Sequence, residues 1–245
     1  MIRRCAALLF VISLALAAPA AAQPVMPGAP APSPTPAPAQ PAPMQPQPGA
    51  PPAAAAGTCG SGKVIFQDDF STADPSWGQN QHITIKDGAM SIYADAGRVQ
   101  LVQSQSDFYA DAAVCATLAV PAPTKSDDAP RGGILFWGGD YSNLYGFEIS
   151  SDGHYRMFRL SRDRWLYPIN WTASEAFKKG DATNTIEVQT RGRSATFWIN
   201  GTRVAQVNGI PPDGGGLVGL FAEGTGSDPT TVRFTHFAIA QPRAQ

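Results

Sequence analysis

Few residues in this chain are suited to acid–base or metal chemistry. Its 245 residues include three histidines, three cysteines and four glutamates, and charged residues make up 15% of the whole. His82, His154 and His236 stand far apart, and no histidine or cysteine pair has the spacing of a zinc site. A phosphate-cradling glycine loop, a dinucleotide fingerprint and a Ser-His-Asp arrangement are all missing. No lysine or arginine stripe exists that would recruit nucleic acid or anionic lipid, so the composition argues against a nucleic-acid partner.

Long apolar runs are missing as well. The longest, Ala6 to Ala18, is about 13 residues, short of the roughly 20 that a spanning helix needs. It follows Arg3 and Arg4 and gives way to Pro19 and then Ala20-Ala21-Ala22, the order of a secretory signal with a small-residue cleavage site. We expect a signal peptide over 1–22, export to the periplasm or beyond, and no stable membrane span after cleavage. No charged residue occurs between Arg4 and Lys63, and the stretch 23–57 is almost wholly Pro, Ala, Gln and Gly. Such a segment buries too little apolar surface to offset its ordering entropy, and its prolines favour extended polyproline II. It reads as a disordered linker ahead of a single domain over 58–242. Without Arg3 and Arg4, 16 basic residues face 19 acidic ones, a net charge of about −3.

Cleavage would also remove Cys5 and leave two cysteines, Cys59 and Cys115. A pair in an oxidising compartment is expected to form a disulfide. In the chain-entropy model, closing a loop of that length stabilises by roughly 4 kcal/mol. It would clamp the point where the linker becomes domain.

What the domain does have is alternation. Strands are expected at 64–70, 82–86, 89–94, 99–103, 109–120, 133–137, 144–150, 154–160, 164–167, 185–190, 195–200, 203–207, 217–222 and 231–240, with at most a turn of helix at 174–178. Asp87-Gly88 is a two-residue hairpin signal, and Asn200-Gly201 marks another turn. A three-residue loop at Ser151-Asp152-Gly153 would pair Glu148 with Arg156 and Phe147 with Met157. Tyr145, Phe147, Ile149, Tyr155 and Met157 then share the core face, and Glu148, Arg156 and Phe158 share the other. The run 134–137, apolar on both faces, belongs in the middle of a sheet. The fold class is all-β, two antiparallel sheets packed as a sandwich.

The order of a Tyr-rich hairpin, the Trp165–Trp171 segment and a strand ending in Asn200-Gly201 resembles the concanavalin A-like (laminin-G-like, β-glucanase-like) jelly-roll domains. The resemblance covers roughly 64–240 and implies that fold. It does not choose a function, because such sandwiches host sugar binders, glycosidases and structural modules. The glucanases of this fold carry E-x-D-x-x-E on one strand, placing their carboxyls in one cleft. Here Glu148, Glu175, Glu187 and Glu223 each stand alone. The sequence thus leans away from catalysis without deciding it. The stretch from Asn184 to Val207, with Asn184…Val188, Arg191-Gly192 and Asn200-Gly201, is similar to the 3-keto-disaccharide hydrolase-like domains. Their glycine-tyrosine-glutamate signature appears only as Gly146-Phe147-Glu148. That resemblance would make Glu148 with Arg156 a polar pair in a cleft; the plain alternative is a cross-strand ion pair worth well under ~1 kcal/mol. Lectin and laminin-G-like members commonly hold calcium. Asp68, Asp69, Asp140 and Asp228 are the carboxylates available, but their spacing matches no calcium loop and no cofactor is assigned.

Sugar rings stack on aromatic side chains and are read at their hydroxyls by polar groups. Trp137, Tyr141, Trp165, Tyr167 and Trp171 are the aromatic candidates, with Arg131, Arg156 and Arg164 as donors, although Trp171 also suits a core position. The expected ligand-binding set is Glu148, Arg156, Phe158, Trp165, Trp171 and Tyr141. The leading expectation is a non-catalytic module at the cell envelope that binds a polysaccharide or oligosaccharide. A glycoside hydrolase using Glu148 and a structural or protein-interaction module are the alternatives.

Overall fold

Alternating side chains become fourteen strands and no helix among the described residues. The computed structural model describes residues 62–243 except 79, 123, 125–128 and 181. The expected signal segment, the linker, Cys5 and Cys59 lie outside the described residues. No helix among the described residues is long and apolar enough to cross a membrane.

In chain order the strands are β1 (Val64–Asp68), β2 (Ile83–Lys86), β3 (Ala89–Ala94), β4 (Val99–Tyr109), β5 (Ala113–Ala119), β6 (Arg131–Asp140) and β7 (Asn143–Ser150). Then come β8 (His154–Ser161), β9 (Arg164–Ala173), β10 (Asn184–Arg191), β11 (Ser194–Ile199), β12 (Thr202–Asn208), β13 (Gly216–Glu223) and β14 (Thr230–Ala240). The first sheet has eight strands, in the order β12-β11-β10-β5-β14-β3-β2 with β1 also paired to β14; the second has six, β4-β13-β6-β7-β8-β9. All pairings are antiparallel, giving the two-sheet jelly-roll sandwich expected of the sequence.

Local chemistry accounts for the turns. Asp87 and Gly88 both take positive φ (52° and 65°), as a two-residue hairpin turn requires, and Asn200 and Gly201 do the same. The Ser151-Asp152-Gly153 loop sets the expected register: Glu148 opposes Arg156, Phe147 opposes Met157 and Ile149 opposes Tyr155. The apolar run in β6 lies in mid-sheet, between β13 and β7.

Two strands run further than alternation predicts. β4 continues through the polar stretch Ser104 to Asp107 up to Tyr109, because Gln103 and Ser104 are buried despite their polarity. β9 continues past Pro168 to Ala173. It tolerates proline because it is the edge strand of its sheet, and its register with β8 shifts on both sides of Met157. The segment 174–178 forms a turn, with no helix.

The core lies between the sheets. Ile134, Phe136, Tyr145, Phe147, Ile149, Tyr155, Met157, Val218 and Leu220 from the second sheet meet Met90, Ile92, Val114, Leu118, Val188, Phe197, Phe234 and Phe237 from the first. Trp77 closes one end, its indole N–H donating to Asp68 Oδ2 at 2.8 Å. Cys115 lies buried beside Ala238. Its strand neighbours Val114 and Ala116 face the core, so Cys115 points to the outer side of the eight-stranded sheet.

Candidate functional site

The same alternation that sends Phe147 and Ile149 inward sends Leu144, Gly146 and Glu148 to the outer face of the six-stranded sheet. That face has its own apolar layer: Leu135, Leu144, Phe158, Leu160 and Phe221, with Val99 and Leu101 packed against it. Phe158 is fully buried there, edge-on to Phe221 (centroids 5.3 Å apart) and to Trp165 (4.9 Å). Phe158 thus belongs to the floor of this face and has no surface to offer a ligand, contrary to the expectation that it lines a binding surface.

Beside this layer four strands each contribute one charge. Arg156 of β8 donates through Nε to Glu148 Oε1 of β7 at 2.5 Å, and its Nη2 lies 3.7 Å from Glu223 Oε2 of β13. Arg131 of β6 donates to Glu223 Oε1 at 2.6 Å. Glu148 is 0% exposed, and its Oε2 has no hydrogen-bond partner. Burial, and secondarily the Glu223 charge, push its carboxyl up to about 8 against the opposing pull of Arg156 and Arg131. The expected Glu148–Arg156 pair is therefore a buried hydrogen-bonded contact rather than an exposed ion pair.

Aromatic rings cover the arginine. The Arg156 guanidinium carbon lies 4.2 Å from the Tyr167 ring centroid and 4.3 Å from that of Trp171, and Arg131 lies 5.5 Å from the same Trp171 ring. These distances are within cation–π range. Trp165, Tyr167 and Trp171 all sit on β9 and remain 40%, 41% and 37% exposed. Trp171 is thus a surface residue. In front of Trp165 and Tyr167 lies an open groove of about 410 Å³, lined also by Gly97, Arg98, Val99, Glu223 and Arg156; Trp171 stands outside its lining.

The remaining sequence candidates lie elsewhere. Tyr141 is exposed in the β6–β7 turn, at the end of β6 opposite Arg131. Trp137 is buried in the main core against Phe136 and Tyr145. Arg164 opens β9 opposite Ser161, outside the groove lining. Among the described residues the four aspartates considered for calcium form no cluster of three or more ligands, and each is already bonded: Asp68 to the Phe70 amide and Trp77, Asp69 to the Ser71 amide, Asp140 to Ser142 and Asn143, Asp228 to Thr124 and Ser227. Asn184 and Asn200 have structural duties. Asn200 Nδ2 donates to Asn184 Oδ1 and Ala176 O, both at 2.7 Å, while Asn184 holds the backbone of Lys178. Sequence reasoning missed Glu223 and Arg98. Glu223 ends an alternating strand on its outward phase, but nothing local shows that it meets a glutamate 75 positions earlier.

No protein-family model matches the chain, and no curated protein matches it in sequence. Solved structures resemble its fold. The carbohydrate-binding module CBM66 from Bacillus subtilis superposes with a TM-score of 0.56 at 12% identity, over 68% of this chain and 96% of that one. The β-glucanase of Bacillus licheniformis gives 0.55 at 9% identity, over 74% and 99%. A prokaryotic β-1,3-1,4-glucanase derived from a mouse hindgut metagenome gives 0.54 at 10% identity, over 72% and 98%. At these identities the likeness establishes the concanavalin A-like jelly-roll fold.

Proposed function

We propose that the protein is an exported, non-catalytic carbohydrate-binding module whose ligand lies along β9 on the outer face of the six-stranded sheet. The observation that carries this reading is the row of three half-exposed rings on β9, of which Trp165 and Tyr167 line an open groove and Trp171 packs on Arg156 beside it. Side chains of this kind stack on the C–H faces of sugars, and the polar groups at the rim read hydroxyls. Arg156, stacked against Tyr167 and Trp171 and bonded to buried Glu148, fixes the rings before any ligand arrives. Preorganisation of this sort lowers the entropic cost of binding. The names of the similar structures, a carbohydrate-binding module and two β-glucanases, are consistent with a glycan ligand. The signal segment over 1–22, the Pro/Ala-rich linker and a Cys59–Cys115 disulfide complete the proposal of a tethered module in the periplasm or outside the cell.

A hydrolytic reading has one observation in its favour. Glu148 and Glu223 approach the same guanidinium, and one carboxyl is pushed up to about 8 while its neighbour contributes negative charge. Glycoside hydrolysis needs a protonated and an ionised carboxyl flanking the scissile bond. Glu148, however, is sealed from solvent beneath Arg156, which places it out of reach of a glycosidic oxygen.

The test is a glycan array together with insoluble wall polysaccharides, probed with the wild-type protein and with a Trp165→Ala, Trp171→Ala variant of verified fold. Saturable binding that the variant loses is the expected result. Absence of binding to every glycan would overturn the proposal, and release of reducing sugar by wild type but not by Glu148→Gln would replace it with the hydrolytic reading.

A further inference from the structure

We propose that the groove selects glycans bearing carboxylates, with Arg98 as the residue that meets the charge. The inference rests on the binding role just proposed and specifies its ligand class. Three arginines, Arg98, Arg131 and Arg156, stand around the groove and the cluster behind it, against the two carboxyl groups of Glu148 and Glu223.

Two of the three cations are engaged. Arg131 holds Glu223, and Arg156 is bonded to Glu148 and stacked against Tyr167 and Trp171. Arg98 differs. It is exposed in the turn that leads into β4, and among the described residues its side chain has no hydrogen bond and no ion pair. Its backbone alone is used, its N–H donating to Asp95 O and its carbonyl accepting from the Gly224 N–H. Those bonds fix the turn and leave the guanidinium free at the groove. Asp95, the nearest acidic residue along the chain, makes no ion pair with it.

Among the side chains that line the groove, two cations, Arg98 and Arg156, face one carboxylate, Glu223, while Glu148 lies buried behind Arg156 and Asp95 lies outside the lining. The chain as a whole has a net charge of −1, so general basicity does not explain the excess. Trp165 and Tyr167 line the groove together with Arg98. A sugar stacked on either ring would present its substituents to the rim where Arg98 stands. Guanidinium matches carboxylate in a two-point fork, a stronger contact than any hydroxyl offers.

The experiment compares polymers that differ in charge alone. Binding to alginate, polygalacturonate and hyaluronan is measured beside the carboxyl-reduced form of each, at low and high salt. The proteins are wild type, Arg98→Gln and, as a control on the opposite sheet, Arg203→Gln. The expected result is that wild type binds at least one uronate polymer about tenfold or more tighter than its reduced form. Arg98→Gln then falls to the level of the reduced polymer, and Arg203→Gln behaves as wild type. Equal binding to charged and reduced polymers overturns the carboxylate selectivity and leaves the sugar-binding role standing. Unchanged uronate binding in Arg98→Gln, or its loss in Arg203→Gln, overturns the assignment of Arg98. Absence of binding to every uronate polymer by a protein that binds neutral glycans on the array also overturns the carboxylate selectivity, and absence of binding to every glycan overturns both proposals.

Discussion

The ring of Phe158 lies directly on the backbone of Gly146: a Cβ added at Gly146 would stand 2.1 Å from the Phe158 Cζ. No side chain larger than hydrogen fits beneath the ring, and the flexibility of its neighbours gives no escape because the ring is held between Phe221 and Trp165. Gly146→Ala should therefore destabilise the protein by about 1–3 kcal/mol through overpacking. It should also displace Trp165 and change its fluorescence. Pairing it with Phe158→Leu, which shortens the obstructing side chain, should recover part of the loss. Denaturant melts of the two variants check this, and a Gly146→Ala protein as stable as wild type would contradict the arrangement.

Glu148 makes a second prediction, on pH. Its carboxyl is pushed up to about 8 from an ordinary value near 4.5. Between those values the folded protein retains a proton that the unfolded chain has released, so stability falls as pH rises from about 4.5 to about 8 and levels off above. The steepest slope attributable to one such group is about 1.4 kcal/mol per pH unit. Arg156, Arg131 and Glu223 are the charged groups that act on it. Glu148→Gln keeps an acceptor for Arg156 Nε but cannot ionise. At pH 5 the protonated carboxyl and the Gln amide alike leave a buried donor without a partner at the Oε2 position, so the two proteins should be similar in stability there. It should become the more stable protein at pH 9. Melting curves across that range that stay parallel would show Glu148 to be ionised throughout.

A third prediction concerns the proposed Cys59–Cys115 disulfide. Non-reducing peptide mapping should yield one linked peptide containing both cysteines. Cys59→Ser should lower stability by about 2–4 kcal/mol while leaving the groove intact, since Cys115 points to the other sheet's outer side. Equal stability of wild type and variant under oxidising conditions would remove the bridge from the account.

The fold was legible because its signals are local. Two-residue turns such as Asp87-Gly88 and the three-residue loop before His154 fix the register of the strands they join, and one register determines the face of every side chain in the hairpin. The site was only partly legible because it is assembled across strands distant in sequence. Glu148 and Arg156 are hairpin neighbours and could be paired from the turn alone. Arg131 comes alongside through the β6–β7 pairing, but Glu223 joins them only because β13 inserts between β4 and β6, an ordering that no local pattern carries. Phe158 shares the phase of Arg156, but phase gives a face and not an exposure. It took Trp165, folded back from β9, to bury it. Pro168 hid the second half of β9, and with it the surface position of Trp171, because proline ordinarily ends a strand that has two partners.

The edge position of β9 also bears on whether a second copy can add a strand to the sheet. An outermost strand rich in exposed rings would ordinarily attract the matching strand of another copy, since its free amides and carbonyls form a template for addition. Pro168 lacks one of those amides, and the shifted register around Met157 bends the line that an incoming strand would have to follow. The same two features, proline and bulge, work against strand addition at an edge that holds three aromatic side chains in water.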